Sequence, residues 1–324
     1  MSSNKILHWD VFNGDADGIC ALLQLRLAEP INSQLITGTK RDISLLDRVE
    51  TRANDKVTVL DVSLDKNRSD LQRILDVSCV VFYVDHHFSG DIPNSPLLKT
   101  LINETPDVCT SLLVNQYLKG AYIRWAIVGA FGDNLKKTAH GLAKSYNLSE
   151  SELSKLEVLG ILINYNGYGA SVSDLHYHPA DLFKLILPYK NPLDFISNCA
   201  HVYKKLESGF EDDFRSAKNA DILFSNNAVA IYVLPNEAWA RRVSGVFGNH
   251  LANIYPDRGH AILTSKADGS YLVSVRAPLR NKKGAAELCR KFSTGGGREA
   301  AAGIDDLPES LVKDFISLFR AKYS

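Results

Sequence analysis

The sequence predicts an α/β protein with an N-terminal doubly wound, mostly parallel sheet and a smaller C-terminal α+β domain. Through the first half, short apolar runs alternate with segments of helical apolar spacing, which is typical of parallel sheets with crossover helices. A polar stretch without strand signals follows, and the strand and helix pattern restarts after Asn227. We therefore expect a catalytic domain at residues 1–190, a helical linker at residues 191–225 and a second domain at residues 226–324.

The first domain is predicted to begin with a strand at residues 5–12, an acidic loop and a helix at residues 19–29. The later elements are a strand at 35–37, a short helix at 44–51, a strand at 57–60, a helix at 67–75, a strand at 79–84, and helices at 110–119 and 149–165. Parallel strands bring their carboxyl ends to one edge of the sheet, and we expect ligands to bind at that edge.

The second domain follows a linker in which residues 197–214 have helical spacing. Its predicted elements are a strand at 228–234, a helix at 237–253, strands at 261–264 and 271–275, a helix at 283–292, a glycine run at 295–297 and a helix at 307–319. This order indicates a small, self-contained α+β domain. We expect the active site in the cleft between the two domains.

Composition excludes some classes of protein. The 37 basic and 37 acidic residues cancel, which argues against a long nucleic-acid track but not against a local basic pocket for a short oligonucleotide. The five cysteines form no C-x-x-C pair and are expected to be free thiols in a reducing cytosol. We find no 18-residue apolar stretch and no leader-like segment, so we expect a cytoplasmic enzyme.

Acidic clusters follow several of the apolar runs. The run Asp85-His86-His87 comes directly after the strand at 79–84, Asp61 follows the strand at 57–60, and further clusters lie at residues 13–18 and 129–134. Three of the clusters have a local explanation as a helix cap or a turn, whereas the adjacent histidines are less easily explained by packing. The joint occurrence of all four clusters is therefore what indicates a site. Carboxylate and imidazole without thiolate suit Mn²⁺ or a similar divalent ion. We therefore expect a two-metal hydrolase acting on a phosphate ester.

The two adjacent histidines suggest a division of roles. Neighbouring side chains of an extended segment point to opposite sides, so we expect one ring to bind metal while the other faces substrate. His8 and Asp10 on the first strand are expected to be structural, and His176 and His178 to lie on the surface.

The four clusters resemble the four motifs of the DHH phosphoesterases, which are named for the run found here at residues 85–87. Residues 295–303, Gly-Gly-Gly-Arg-Glu-Ala-Ala-Ala-Gly, resemble the GGGHxxAAG signature of the family's C-terminal domain. The family includes RecJ-type exonucleases, oligoribonucleases of the nanoRNase kind and cyclic dinucleotide phosphodiesterases. The resemblance implies Mn²⁺ or Mg²⁺, with two ions, bound in a crevice between the two domains.

Roles follow from this resemblance by position. The implied metal ligands are Asp15, Asp17, Asp61, Asp85, His86 and Asp133. Asp61 would bridge the two ions, and Asp85 would either ligate an ion or orient a ligand. His87 would face the scissile phosphate as an electrophile or as the acid for the leaving oxygen, which makes Asp61 and His87 the implied catalytic residues.

Two positions depart from the family pattern. Asn13 stands where many members have a further Asp, and since an amide supplies no negative charge, a weaker second metal site is expected. Arg298 stands where His is usual, and its guanidinium can hold a phosphate bidentately. The expected substrate-binding residues are Arg276, Gly295, Gly296, Gly297 and Arg298, with Lys40 and Arg41 as loop cations that either reach a phosphate or remain solvated.

The expected substrate is a short oligonucleotide or a linear dinucleotide such as pGpG or pApA, hydrolysed to mononucleotides. The enzyme alternatives are a single-strand-specific exonuclease and a phosphatase for a small bisphosphonucleotide. A nucleotide-binding scaffold protein is the alternative from another class. No membrane association is expected, and the oligomeric state is left open, a homodimer included.

Overall fold

The computed structural model describes residues 6–323, and the chain divides into two compact units between Glu207 and Ser208. Lys5, the first residue of the first predicted strand, lies outside the described residues. Along residues 6–323 every helix is too short or too polar to cross a membrane.

A parallel sheet organises the first unit. Its strands are β1 (His8–Phe12), β2 (Gln34–Ile36), β3 (Lys56–Leu60), β4 (Val80–Asp85) and β5 (Leu98–Ile102). Within the described part of this unit the order is β2-β1-β3-β4-β5, and every pairing is parallel. The predicted α/β class with a doubly wound sheet is therefore confirmed. In this order β2 and β3 lie on opposite sides of β1, so the chain reverses direction across the sheet at β1. In such a sheet the ligand crevice lies at the carboxyl ends of the strands where the direction reverses, here β1 and β3.

Helices cover the sheet of the first unit. They are α1 (Ala16–Ala28), α2 (Arg68–Asp76), α3 (Thr110–Tyr117), α4 (Ile123–Gly132), α5 (Lys136–Ser145), α6 (Glu150–Asn166), α7 (Pro179–Ile186), α8 (Pro192–Asn198) and α9 (Ala200–Lys218), the last of which continues into the second unit. Helix α2 packs Leu71 and Ile74 into one apolar cluster with Val57, Val59 and Val81 of the sheet. Helices α1, α3, α4 and α6 pack against one another, and α1 also contacts β1 and β3.

A buried ion pair fixes α1 against β1. Arg26 donates from Nε to Asp10 Oδ2 at 2.7 Å and from Nη2 to Asp10 Oδ1 at 2.6 Å. The Ser33 hydroxyl donates to Asp10 Oδ2 at 2.5 Å. Asp10 is fully buried, so its charge depends on these partners, and this agrees with the structural role expected for it.

A mixed sheet organises the second unit. Its strands are β6 (Asp221–Ser225), β7 (Val229–Leu234), β8 (Gly259–Ser265), β9 (Tyr271–Arg276), β10 (Gly295–Gly297) and β11 (Ala301–Leu307), and its helices are α10 (Ala238–Ile254), α11 (Ala285–Cys289) and α12 (Val312–Tyr323). Among residues 208–323 the strand order is β10-β11-β9-β8-β7-β6, and β7 with β8 is the single parallel pair. Apolar residues of β7, β8, β9 and β11 form one core with α11 and α12, as an α+β unit requires.

Three strands among the described residues lie where no element was predicted from the sequence. Strand β5 lies between predicted elements, and β6 lies in the polar stretch that lacked strand signals, where Ile222 and Leu223 are exposed. Strand β11 begins with Ala301-Ala302-Gly303, residues of low strand propensity that are held by pairing with β9 and β10. In each case pairing with neighbouring strands outweighs a weak local pattern.

Some predicted elements have different bounds or types. The glycine run, to which no strand was assigned, is strand β10, paired with β11. The predicted helix at 307–319 begins only at Val312, because Pro308 disfavours helical backbone at the residue before it. The predicted helix at 44–51 is reduced to a single 3₁₀ turn, Leu46–Arg48.

Candidate active site

The loop after β1 is closely packed. Asp15 caps α1, since its Oδ1 accepts from the backbone N–H groups of Asp17 and Gly18, both at 3.0 Å. A Cβ on Gly14 would lie 1.9 Å from the carbonyl oxygen of Gly38, so only glycine fits where these two loops meet. The acidic loop is therefore held rigidly against the loop that follows β2.

Asp17 joins this loop to α3. Its Oδ2 accepts from the Thr110 N–H at 2.7 Å, and its Oδ1 accepts from the Ser111 N–H at 2.8 Å. The first N–H groups of a helix have no partner within the helix, and a carboxylate there is favoured by the helix dipole. Thr110 also donates its hydroxyl to Asp61 Oδ1 at 3.2 Å, so one residue of α3 positions two acidic side chains.

Asp61 follows β3 in a strained backbone conformation. Its φ of 60° is left-handed, which is uncommon for a residue other than glycine and is often found at functional sites. Its N–H donates to the Val84 carbonyl at 3.1 Å, so the neighbouring strand holds the conformation. Burial, followed by the negative charges of Asp15 and Asp17, raises the pKa of Asp61 well above its ordinary value. The site thus gathers more negative charge than it neutralises, and a bound cation would relieve this.

His86 lies at the centre of the carboxylates. Its Nδ1 is 2.8 Å from the Val108 carbonyl oxygen, which can only accept, so Nδ1 carries the proton and donates. Its Nε2 lies 3.3 Å from Asp61 Oδ1, 3.8 Å from Asp17 Oδ2 and 3.8 Å from Asp133 Oδ2. A backbone acceptor that fixes one ring nitrogen and leaves the other to face acids is the usual arrangement of a metal-binding histidine.

His87 is paired with Asp85. The distance from His87 Nδ1 to Asp85 Oδ1 is 2.7 Å, and the His87 side chain is 31% exposed whereas Asp85 is fully buried. Burial alone would raise the pKa of Asp85, but the charge and hydrogen bond of His87 outweigh it and lower that pKa. In the structure Asp85 therefore orients a partly exposed imidazole.

The expectation that the two histidine rings point to opposite sides was wrong. Their ring centroids lie 4.5 Å apart in an edge-to-face arrangement. Strand β4 ends at Asp85, so the alternation of an extended segment no longer applies to His86 and His87. The nearest acidic partners of the two rings still differ. His86 Nε2 lies nearest to Asp61 Oδ1, whereas His87 Nδ1 lies 2.7 Å from Asp85 Oδ1 and 3.9 Å from Asp61 Oδ1.

Lys40 and Asp133 complete the cluster in the first unit. The Lys40 ammonium forms an ion pair with Asp15 Oδ2, lies 3.7 Å from Asp133 Oδ1 and donates to Asn164 Oδ1 at 3.1 Å. Burial opposes the charges of both partners, but their attraction outweighs it, so the pKa of Asp15 is lowered and that of Lys40 is raised. Asp133 ends the helix α4 rather than a strand, and it reaches both Lys40 and His86.

Sequence reasoning did not identify the roles of Thr110 and Asn164. Asn164 lies within the predicted helix at residues 149–165, to which no role was assigned, but its buried amide accepts a hydrogen bond from Lys40. Thr110 was placed only at the start of a helix. In the sequence neither residue is adjacent to an acidic cluster, so no local pattern marks them.

The predicted substrate residues of the second unit lie on its sheet. Arg276 ends β9 and donates to Asn249 Oδ1 at 2.6 Å and to Ser274 Oγ at 3.1 Å. Arg298 lies in the turn between β10 and β11, where its N–H donates to the Ala301 carbonyl at 2.9 Å. The binding role of these residues stays a prediction.

The donor set of the first unit suits a divalent metal ion. Ligand atoms of Asp61, His86 and His87 all lie within 4.8 Å of one another. The lone pair of His86 Nε2 faces carboxylate oxygens, a repulsive arrangement that either a proton or a metal cation resolves. Oxygen and imidazole ligands without thiolate favour Mn²⁺ or Mg²⁺ among the common ions.

Solved structures resemble this chain over nearly its whole length. The exonuclease RecJ bound to manganese matches with a TM-score of 0.55 and 16% identity, over 97% of this chain and 89% of that one. RecJ from Thermus thermophilus in complex with Mn²⁺ matches with a TM-score of 0.57 and 16% identity, over 97% of this chain but only 51% of that one. The pGpG-specific phosphodiesterase PggH from Vibrio cholerae matches with a TM-score of 0.55 and 14% identity, over 98% of this chain and 99% of that one.

No sequence model of a known family matches the chain, and no curated protein matches it either. The structural matches nevertheless cover both units, and the Asp-His-His run lies at the carboxyl end of β4 beside the acidic ends of β1 and β3. The chain therefore has the fold of the DHH phosphoesterases that its motifs resemble.

Proposed function

We propose that this protein is a metal-dependent phosphodiesterase that hydrolyses short oligonucleotides or linear dinucleotides, such as pGpG or pApA, to mononucleotides. One observation carries the proposal. His86 Nε2 faces the carboxylates of Asp61, Asp17 and Asp133 at 3.3–3.8 Å, while its Nδ1 is fixed by a backbone carbonyl. This arrangement would hold a cation at the crevice where a sheet of this order binds its ligands.

The comparisons support a phosphodiester substrate. Both RecJ structures contain manganese, and PggH is a pGpG-specific phosphodiesterase. PggH has nearly the length of this chain, with 99% of it covered, whereas only 51% of the Thermus RecJ is covered. The zero net charge favours a short substrate over a long strand.

The proposed ligands of the metal come from the ends of β1, β3, β4 and α4. They are Asp15, Asp17, Asp61, Asp85, His86 and Asp133. A divalent ion bound there supplies a Lewis acid that polarises the phosphate and lowers the pKa of water. Thr110 and Val108 hold Asp61 and His86 in place by hydrogen bonds, so the ligand atoms are preorganised.

His87 is the proposed acid for the leaving oxygen. With Nδ1 held by Asp85, the proton available for transfer is the one on Nε2, and the ring is exposed enough to meet a substrate. The buried carboxylate of Asp85 fixes the orientation of the ring, so Nε2 can be directed at the departing oxygen.

Phosphate binding is proposed for the arginines and the glycine run of the second unit, together with Lys40 and Arg41. Replacing Arg298 by Ala should raise KM, and replacing it by Lys should restore only part of the loss, since lysine lacks the bidentate fork. The difference should vanish on substrates that lack a terminal phosphate. Equal KM values for all three proteins on every substrate would remove Arg298 from the site.

The proposal is tested by incubating the protein and Mn²⁺ with labelled two- to seven-residue RNA and DNA and following the products over time. Preferred cleavage of the dinucleotide supports it. Stepwise shortening of long single strands identifies an exonuclease, and release of inorganic phosphate alone identifies a bisphosphonucleotide phosphatase. Binding without turnover identifies a scaffold protein. Turnover that survives exhaustive chelation refutes metal dependence.

A further inference from the structure

Lys40 places a fixed positive charge among the acidic residues. Its ammonium pairs with Asp15, lies 3.7 Å from Asp133 Oδ1 and donates to Asn164 Oδ1 at 3.1 Å. The ring of Tyr168 lies beneath it, with the centroid 5.6 Å from Nζ. A side chain with these partners occupies a defined position rather than sampling solvent.

The backbone of Lys40 is fixed as well. Its N–H donates to the Gly167 carbonyl at 2.7 Å, and its own carbonyl accepts from the side-chain amide of Asn13 at 3.1 Å. Asn13 Oδ1 accepts from the Asp15 N–H at 3.2 Å. Asn13 therefore links Lys40, which carries the ammonium group, with Asp15, which pairs with that group.

The amide at position 13 is required for this connection. A carboxylate there could accept from Asp15 but could not donate to the Lys40 carbonyl, and two oxygens would face each other. Asn13 is also the position at which the motif of this chain departs from the acidic pattern that it resembles. Relative to that pattern, asparagine at position 13 removes one negative charge. It also holds Lys40, and so its positive charge, in place.

A divalent ion that used Asp15 would meet this ammonium. The ion would compete with the ammonium for Asp15 Oδ2, and the repulsion between the two cations is weakly screened in a buried site. The carboxylates around His86 Nε2 remain available on the other side of the cluster, because Asp133 directs Oδ1 to Lys40 and Oδ2 to His86.

We propose that Lys40 is a built-in cation that occupies one of the two expected metal positions, so that the site binds a single divalent ion at Asp61 and His86. This inference rests on the proposed function because it requires a metal site. It changes the expected number of bound divalent ions from two to one. Asn13 acts as the positioning residue for Lys40.

The test is calorimetric titration of the full chain with Mn²⁺, together with electron paramagnetic resonance of the loaded protein. The wild type should bind one Mn²⁺ per chain and give the spectrum of an isolated ion. Lys40→Met, which keeps the stem and removes the charge, should bind a second Mn²⁺ and give an exchange-coupled spectrum. Lys40→Gln is a second neutral variant, and Lys184→Met, at a side chain that is 63% exposed, is the control that should match the wild type.

Two Mn²⁺ in the wild type would overturn the inference and leave the proposed function standing. One Mn²⁺ in both neutral variants, with unchanged affinity, would also overturn it, since Lys40 would then exclude nothing. Absence of Mn²⁺ binding in every form would refute the proposed metal site itself. If neither neutral variant folds, the wild-type count still decides, because one ion supports the inference and two overturn it.

Discussion

Replacing Asp61 by Asn should separate stability from function at the candidate site. Asn tolerates the left-handed backbone at φ 60° and still offers an oxygen to the Thr110 hydroxyl, so the fold is preserved. Ala at this position would add backbone strain of about 1–2 kcal/mol and confuse the result. The substitution therefore removes a single negative charge from a buried cluster.

The metal-free protein should become more stable. Burial and the charges of Asp15 and Asp17 raise the pKa of Asp61, so its ionised form is unfavourable in the fold at neutral pH. Relief of strain at a functional site typically contributes about 0.5–2 kcal/mol. For a unit of this size, that is a rise in Tm of about 1–8 °C in the presence of a chelator.

The metal-loaded protein should respond in the opposite direction. Mn²⁺ at about 100 times its Kd stabilises the wild type by about 2.7 kcal/mol, or about 5–10 °C in Tm. Asp61→Asn should lose most of this shift, and kcat should fall at least about 10³-fold, on the order of 4 kcal/mol of barrier.

Thermal unfolding followed by circular dichroism, with EDTA and with Mn²⁺, measures both effects, and hydrolysis of a labelled dinucleotide measures the third. Asp181→Asn, at a side chain that is 65% exposed, is the matched control and should change none of them. If Asp61→Asn is less stable than the wild type in EDTA, or keeps its Mn²⁺ shift, the cluster is not a strained cation site and the reasoning is refuted.

Three further predictions concern the rest of the chain. His87→Ala should lower kcat by about 10²–10⁴-fold with little loss of Mn²⁺ affinity. His86→Ala should instead lose mainly Mn²⁺ affinity, because of the two rings only His86 faces three carboxylates. Equal loss of Mn²⁺ affinity in both variants, measured by calorimetry, would contradict this. Arg26→Met should cost about 3–5 kcal/mol in urea unfolding, because it leaves Asp10 buried without its cation; a change below about 1 kcal/mol would show that the pair is expendable. Burial, followed by the charge of a nearby arginine, lowers the pKa of His260 to about 4 from 6.5, so the unfolded chain binds its proton first and stability should fall by about 3 kcal/mol as the pH drops from about 6.5 to about 4. His260→Leu should flatten that part of the curve, and an unchanged pH profile would show that this histidine is not responsible.

The sequence by itself determined the positions of the strands that form the ligand edge. The short runs that became β3 and β4 lead directly into Asp61 and Asp85, and the run that became β1 leads into Asp15 after Asn13 and Gly14. Parallel pairing aligns the carboxyl ends of these strands. A parallel α/β sheet therefore places Asp15, Asp61 and Asp85 at one edge. The Asp-His-His run needed no tertiary information to be recognised as unusual.

Tertiary structure decided how the charges in that edge are paired. Asp17 accepts from the start of a helix 93 residues later, and Asp15 pairs with Lys40 across two loops. Asp133 enters the cluster from the end of α4, where the sequence alone allowed only a turn or a ligand. These pairings depend on which loops meet in space, and a local pattern carries no information about that.

The second unit shows the same limit for its strands. Strand β11 and the glycine strand β10 have little intrinsic preference for extended structure, yet β11 joins the sheet by pairing with β9, and β10 joins it by pairing with β11. Pro308 was a signal present in the sequence, and it correctly separates β11 from α12 although the predicted helix ignored it. The periodicity of apolar residues predicts helices and strands that bury one face. Strands that are stabilised mainly by hydrogen bonds to strands distant in sequence have no such pattern, so only the folded structure identifies them.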